Sequence, residues 1–186
     1  MNKIFEPRGF FTVPDGTDVS PFMNATDAMQ QDVPWGALGD MSIAAGRIGP
    51  GVSSWIHVHP IVTHVTYLVS GHLGIRMKEA KAPKPYDLEL RVGAAVLTEP
   101  GTLFQLQNTS DEIAEVLYIV SPSYAFEVDD GKVVYNDAVL VAETWEDLRA
   151  AHYDLAAFRT LRDQATASRA EAMRRLPAQK GIFRRI

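Results

Sequence analysis

The feature that most constrains the fold is a series of short β-rich runs between residues 41 and 141, separated by turn-forming residues. About ten such runs follow one another without a helical interruption, at the close spacing typical of an all-β domain. The separators include GPG at 49–51, SG at 70–71, EPG at 99–101 and DDG at 129–131, all of which favour tight turns. This pattern predicts an all-β sandwich or barrel.

The segment before these runs has a different composition. Residues 1–34 contain repeated proline and glycine residues around a possible short helix, for which Ser20 is the predicted N-cap and Pro21 the first helical residue. Such a breaker-rich segment is expected to form an arm that wraps around another part of the protein. We therefore predict an N-terminal arm over 1–34 and a β-barrel domain over 35–143.

The last part of the chain changes period and predicts helix. Thr144 and Asp147 form a plausible capping box at its start, and Pro177 ends the run. We predict a helical extension over 144–186, whose apolar side must be covered by the barrel, by a second copy in a homodimer or by another partner. The residues that recur every three to four positions, as on one helix face, are Trp145, Leu148, His152, Leu155, Phe158 and Leu161.

The composition excludes several classes of function. The chain contains no cysteine, so thiolate catalysis, iron–sulfur clusters and disulfides are excluded. The net charge is −5, and the part before residue 144 carries nine basic against eighteen acidic side chains, which argues against nucleic-acid binding. No segment approaches the roughly 18 consecutive apolar residues of a membrane helix, and the N-terminus has no apolar signal region. We expect a cytoplasmic protein that binds neither membrane nor nucleic acid.

Three of the five histidines lie within eight residues, in the sequence HVHPIVTH. In a strand, alternate side chains face the same side, so His57 and His59 point together with roughly 6–7 Å between their Cα atoms. His64 follows the break at Pro60, where the next strand can supply a third ligand to the same interior face. Burying three unpartnered imidazoles would cost about 1–3 kcal/mol for each unsatisfied atom, so we predict that they hold a metal ion. The alternative is that they are hydrogen-bonded core residues.

With this cluster the chain resembles the cupin superfamily, including its germin-like and oxalate-oxidase-like members. The resemblance covers about half to two-thirds of the chain and implies a double-stranded β-helix, which is a jelly-roll barrel, with a metal near its open end. The second motif of the superfamily is similar to Gly93 followed by EPGTLFQLQN, in which Gly101 and Asn108 keep their places. The first motif is similar to the series Gly51, His57, His59, His64 and Gly71.

Departures from the superfamily pattern change the expected ligand set. His64 stands where the first motif usually has a glutamate ligand, and Phe104 stands where the second motif usually supplies a histidine. Glu99 replaces the usual proline of the second motif. The site is therefore expected to have three histidines and no carboxylate, with Gln105 as an oxygen ligand only if the strand register slips by one residue. The other possibility is that the metal has been lost and the histidines are a remnant.

The resemblance does not fix the chemistry, because its members bind iron, manganese, nickel or zinc and act as oxygenases, decarboxylases, isomerases or lyases. Three neutral imidazoles leave a divalent ion its full charge, which favours a small chelating anionic substrate such as an enolate, a hydroxy-acid or a β-dicarbonyl. We therefore predict a mononuclear non-haem oxygenase that uses Fe(II) and O2, with Mn, Ni, Cu or Zn as alternative metals. The other two hypotheses are a redox-neutral metal-dependent lyase, isomerase or decarboxylase, and a metal-free ligand-binding or sensory protein.

Strand parity predicts which further side chains surround the histidines. Trp55 lies two positions before His57, and Thr66 lies two positions after His64, so both are expected to face the barrel interior. Phe104, from the second motif, is expected on the same interior surface. Together these side chains would form an apolar lining that excludes water and contacts the substrate.

Four polar residues are the remaining candidates. Arg76 is a candidate partner for a substrate carboxylate, and Gln105 is a candidate substrate-binding residue on the second motif. Glu99 and Tyr118 are candidate acid–base groups at the mouth of the pocket.

Overall fold

The computed structural model describes residues 4–7, 9–24, 40–129, 132–150, 153 and 155–175. Short strands make up most of this part of the chain, and two helices follow them, in the order that the sequence predicts. The described elements are β1 (Phe11–Thr12), β2 (Asp18–Asn24), β3 (Ser42–Ile48), β4 (Ile56–Val58), β5 (Thr63–Ser70), β6 (Leu73–Lys78), β7 (Tyr86–Leu90), β8 (Ala95–Thr98), β9 (Leu103–Gln107), β10 (Ala114–Ser121), β11 (Phe126–Asp129), β12 (Lys132–Asn136), β13 (Val139–Ala142), α1 (Trp145–Ala150) and α2 (Leu155–Arg175).

The strands form two antiparallel sheets that enclose a common core. The six-stranded sheet has the order β1-β2-β3-β10-β5-β8, and the five-stranded sheet has the order β13-β4-β9-β6-β7. Alternate residues of β5 and β10 are buried, and the main apolar cluster joins side chains from both sheets, such as Leu68 and Leu106. Strands β11 and β12 pair with each other in a separate hairpin. The predicted all-β jelly-roll barrel is confirmed.

Part of the predicted N-terminal arm belongs to the six-stranded sheet. Strand β2 pairs with β3 in an antiparallel register. The predicted short helix that begins at Ser20 and Pro21 is therefore wrong, because hydrogen bonds to β3 hold this segment extended. The register shifts between Pro21 and Met23, which is the kind of irregularity at which a sheet tolerates a proline. The arm thus contributes a wall of the barrel; the predicted boundary between residues 34 and 35 lies outside the described residues.

The start of α1 is capped as the sequence predicts. The Thr144 hydroxyl accepts a hydrogen bond from the Asp147 N–H at 3.1 Å and donates one to the Asp147 carboxylate at 2.6 Å. This side chain occupies one of the backbone donors that a helix start leaves free. His152 and Pro177, which belong to the same predicted pattern, lie outside the described residues.

The barrel covers the apolar side of the helices. Leu148 of α1 and Phe158 of α2 pack into a cluster with Ile56 and Leu103, which belong to the five-stranded sheet. The sequence left open whether the barrel, a second copy or another partner covers the apolar side of the helices. In the described residues the barrel does so. No helix in the described part of the chain is long and apolar enough to cross a membrane.

The contact between α2 and the barrel yields a prediction at Gly101. This residue has φ +86°, and a Cβ at this position would overlap the Phe158 ring. We expect Gly101→Ala to lower the free energy of unfolding by about 2–4 kcal/mol, because backbone strain and steric overlap add. Urea denaturation measures the loss.

The matched control is Gly51→Ala. Gly51 has φ +69°, and a Cβ added there would meet no other atom within 4 Å, so only the strain of about 1–2 kcal/mol is expected at this position. Equal losses for the two variants would contradict the packing of Phe158 on the turn at Gly101.

Candidate functional site

The structure brings His57, His59 and His64 together inside the barrel. His57 lies in β4, His59 directly follows β4, and His64 lies in β5. Strand β5 belongs to the opposite sheet, so His64 approaches across the barrel rather than from a strand beside β4. The ring centroids of His57 and His59 are 5.5 Å apart, and those of His59 and His64 are 4.9 Å apart. All three side chains are buried and line one cavity.

The Nδ1 atom of each of the three imidazoles faces a protein oxygen. Nδ1 of His57 lies 2.8 Å from the Trp55 carbonyl, and Nδ1 of His59 lies 3.4 Å from the Asp137 carbonyl. A carbonyl can only accept, so in both rings Nδ1 carries a proton, and Nε2 is the nitrogen available to a metal. Nδ1 of His64 lies 3.4 Å from the Thr66 hydroxyl. This is the arrangement in which histidine serves as a metal ligand through Nε2.

Burial keeps two of the rings neutral. The pKa of His59 is lowered well below its usual value by desolvation, and the neighbouring His64 and His57 lower it further. Desolvation, followed by the influence of His57, lowers the pKa of His64 to about 3. Neutral imidazole is the form that binds a metal, so both rings have ligand character at neutral pH.

Phe104 lies among the three imidazoles. Its ring centroid is 4.1 Å from that of His57, 5.5 Å from that of His59 and 5.7 Å from that of His64. Among the described residues, no three His, Cys, Asp or Glu side chains are arranged so that they could hold a metal ion together as they stand. Imidazole nitrogens are donors of the kind that bind a metal. For one ion to be coordinated by all three histidines, their side chains would have to move closer to a common point.

The cavity beside the histidines is small and largely apolar, with a volume of about 120 Å³. The N-terminal arm, both sheets and the segment around β11 to β13 all contribute to its walls. Such a lining excludes water and suits a compact organic ligand. The aromatic and charged or histidine side chains that line it are Phe11, Asp15, His57, His59, His64, Phe104, Tyr118, Tyr124 and Phe126.

Asp15 is a site residue that the sequence analysis missed. Its Oδ1 accepts hydrogen bonds from the Thr17 N–H at 2.9 Å and the Thr17 hydroxyl at 2.8 Å. Its Oδ2 lies 3.8 Å from Nε2 of His57. The Asp15 carbonyl accepts a hydrogen bond from the Trp55 N–H at 2.8 Å, which fixes the arm beside β4. The structure therefore places a carboxylate beside the three histidines, which the sequence did not indicate.

Thr66 faces the interior as the sequence predicts, and Tyr118, which was expected at the mouth of the pocket, is buried beside it. The Tyr118 ring is 5.1 Å from that of His64 and lines the cavity. Burial, and then the charge of Asp15, raise the pKa of Tyr118, so its hydroxyl stays protonated. Thr66 is fully buried and contacts His64, so it supports the site rather than lining the cavity.

Two of the predicted substrate-binding residues face away from the cavity. Gln105 donates to the Ser54 carbonyl at 2.8 Å and accepts from the Trp145 Nε1–H at 2.9 Å. Arg76 pairs with Gln105 across the sheet, so its side chain shares that outer face, where it stacks over Trp145 and forms an ion pair with Asp87. Strand parity sends both side chains towards α1 instead of the interior.

Two further predictions about the pocket are also wrong. The Trp55 side chain is 39% exposed and does not line the cavity. Trp55 precedes the first residue of β4, so the alternation of the strand does not extend to it. Glu99 is exposed in the turn before Gly101 and also lies outside the cavity lining, so it is not placed to exchange protons there.

Asp137 connects His59 to the C-terminal helix. Its backbone carbonyl faces His59 Nδ1, and its carboxylate accepts a hydrogen bond from the Ala125 N–H at 2.6 Å. The same carboxylate forms an ion pair with Arg169 of α2. Arg169 also donates to the Ser123 carbonyl at 2.7 Å. The helical extension is thereby linked to a residue that contacts the histidine cluster.

Comparison with known proteins identifies the fold. No family model matches the sequence, and no curated protein matches it as a relative. Similar solved structures include the oxalate decarboxylase formate complex of Lactobacillus farciminis, with a TM-score of 0.53, 16% identity and coverage of 80% of this chain and 38% of that chain. The capsular polysaccharide assembling protein CapF of Staphylococcus aureus has a TM-score of 0.51, 13% identity and coverage of 76% and 32%, respectively. The chain thus spans about a third of the length of these two proteins.

A third similar structure is a cupin domain. The Drosophila melanogaster CENP-C cupin domain has a TM-score of 0.47, 20% identity and coverage of 60% of this chain and 74% of that chain. Together with the two-sheet topology, the oxalate decarboxylase and CapF structures confirm the predicted cupin-type double-stranded β-helix with a C-terminal helix. At these identities the likeness establishes the fold alone.

Proposed function

We propose that the protein is a metal-dependent enzyme that acts on a small organic molecule in the histidine-lined cavity. The observation that carries this proposal is the shared orientation of His57, His59 and His64, whose Nδ1 atoms face protein oxygens. Their Nε2 atoms make no hydrogen bond within the described part of the chain. Three imidazole nitrogens in a buried cavity are a common ligand set for a catalytic metal.

Fe(II) is the proposed metal, with Mn, Ni, Cu and Zn as alternatives that the same donors accept. Iron would supply one-electron and O2 chemistry when bound, which makes an oxygenase the leading form of the proposal. The chain's own residues hold the metal through three imidazoles, exclude water with the Phe104 side of the cavity and orient the substrate by hydrogen bonds. A divalent metal held by three histidines alone would keep its full positive charge, and the nearby Asp15 carboxylate would lower the net charge of the site.

A redox-neutral reaction is the first alternative. The oxalate decarboxylase with the similar fold is, by its name, an enzyme that removes carbon dioxide from a small acid. In this form of the proposal a bound metal polarises the substrate and no O2 is consumed. O2 uptake separates this alternative from the oxygenase.

A metal-free ligand-binding protein is the second alternative. It is favoured by the position of Phe104 among the three rings and by the absence, within the described residues, of three donor side chains ready to share an ion. In that case the histidines would be aromatic and polar walls of a binding pocket.

Metal analysis of the purified protein tests the proposal. We expect about one equivalent of bound metal after purification from iron-supplemented cells, and tight binding of Fe(II) when the chelated protein is titrated without O2. A ligand-dependent uptake of O2 by the iron form would support the oxygenase. No bound metal after growth with iron, manganese, nickel, copper or zinc would contradict metal dependence.

A further inference from the structure

We propose that the cavity binds a small hydroxycarbonyl compound, with Asp15 accepting a hydrogen bond from its hydroxyl group and Tyr118 donating one to its carbonyl oxygen. The inference rests on the proposed function only in taking this cavity as the substrate site. It names the class of substrate, which three histidines alone do not define.

The Tyr118 hydroxyl provides the donor. Tyr118 is only 8% exposed. Its hydroxyl lies near that of Thr17, which donates its proton to Asp15, and it makes no hydrogen bond of normal geometry with the described residues. A buried hydroxyl without a partner costs about 1–3 kcal/mol. A Cβ at Gly46 would overlap the Tyr118 ring, so the ring packs directly over the glycine backbone, which fixes its position beside the cavity. A ligand oxygen in the cavity would satisfy this hydroxyl.

The Asp15 carboxylate provides the acceptor. Its Oδ1 is already occupied by two hydrogen bonds from Thr17, whereas Oδ2 faces Nε2 of His57 at 3.8 Å. A distance of 3.8 Å is too long for a hydrogen bond, and no described residue donates a hydrogen bond to Oδ2. Because Asp15 lines the cavity, the hydroxyl group of a ligand can donate a hydrogen bond to this oxygen.

The size of the cavity restricts the ligand further. The volume of about 120 Å³ admits a molecule of only a few carbon atoms.

Calorimetric titration with three probes of similar size tests the pairing. Acetoin carries both a hydroxyl and a carbonyl group, the methyl ether of acetoin lacks the donor, and sec-butyl alcohol lacks the carbonyl acceptor. We expect the protein to bind acetoin about tenfold or more tightly than either of the other two, because each of these leaves one polar group of the site without a partner.

Two variants assign each preference to its residue. Tyr118→Phe should remove the preference for acetoin over sec-butyl alcohol and keep its preference over the methyl ether. Asp15→Asn should remove the preference for acetoin over the methyl ether and keep the preference for acetoin over sec-butyl alcohol. Tyr67→Phe, on the neighbouring strand, and Asp18→Asn, in the same arm, are the matched controls and should keep both preferences. Thermal unfolding of each variant shows that it is folded.

Several results would overturn the inference. These are the failure of acetoin to bind at millimolar concentration, equal affinities for the three probes, or preferences that survive in both Tyr118→Phe and Asp15→Asn. The titrations are made on the purified protein before and after treatment with a chelator. If the protein binds no metal but shows the two residue-specific preferences, the metal-dependent function is wrong and this inference holds. If it binds metal but shows neither preference, this inference is wrong and the metal-dependent function holds.

Discussion

Replacement of any one of His57, His59 and His64 by alanine is expected to weaken metal binding by more than about a hundredfold. Loss of a residue that merely supports a ligand costs about 10–100-fold, and loss of one of three donors removes a direct bond to the metal. Competition with a chromophoric chelator measures the affinity of each variant. The binding of Fe(II) should fall in all three variants to a similar extent.

His72→Ala is the matched control for this series. His72 forms an ion pair with Glu89 at 2.9 Å on the outside of the barrel, so its replacement should leave metal binding unchanged. Metal binding that survives in the variants at His57, His59 and His64, or that is lost equally in His72→Ala, would contradict the assignment of the ligands. The free energy of unfolding of the metal-free variants is measured alongside to separate lost ligands from lost fold.

Replacement of Arg169 by methionine is expected to lower the free energy of unfolding by about 3–5 kcal/mol. The Asp137 side chain is 0% exposed and lies against Arg169. Its carboxylate also accepts hydrogen bonds from the Ala125 N–H and the Tyr135 hydroxyl, each at 2.6 Å. Without the guanidinium group, a buried negative charge remains with neutral donors only, and this is the costly state.

Urea denaturation of Arg169→Met measures this loss, with Arg174→Met as control. The Arg174 side chain is 73% exposed and pairs with Glu171 on its own helix, so its removal should change stability by less than about 0.5 kcal/mol. A loss in Arg169→Met that is as small as this would show that α2 is not anchored through Asp137.

The same ion pair links the helix to the site. The Asp137 carbonyl faces Nδ1 of His59 at 3.4 Å, and a displaced Asp137 would leave this ring free to turn. Disturbing such a supporting contact typically weakens metal binding by about tenfold or more. Arg169→Met is therefore also expected to reduce metal affinity, although Arg169 contacts neither the cavity nor the histidines.

The sequence was sufficient for the fold because local signals agreed with the tertiary arrangement. Alternating apolar residues marked β5 and β10, and Thr144 with Asp147 marked the start of α1. Strand β2 escaped prediction because Ser20 and Pro21 also suit a helix start, and only pairing with β3 decides between the two. That pairing joins residues about twenty positions or more apart and leaves no local signal.

The candidate site was predictable only where strand parity applies. His57 and His64 lie inside strands and face inwards, and the same rule correctly separates Phe104 from Gln105. Trp55 was misplaced because it lies before β4, where alternation does not hold. Asp15 was missed because it reaches His57 through a turn of the arm, a contact between distant parts of the chain. The PDG turn at 14–16 marks a bend but not what the bend approaches.

The measurement that tests the central claim most directly is anomalous diffraction from crystals of the metal-loaded protein. The account predicts one anomalous peak in the cavity, at about 2.0–2.2 Å from Nε2 of His57, His59 and His64. Their Nδ1 atoms should still face the Trp55 carbonyl, the Asp137 carbonyl and the Thr66 hydroxyl. A peak bound elsewhere, or a cavity without a peak at full metal loading, would contradict it.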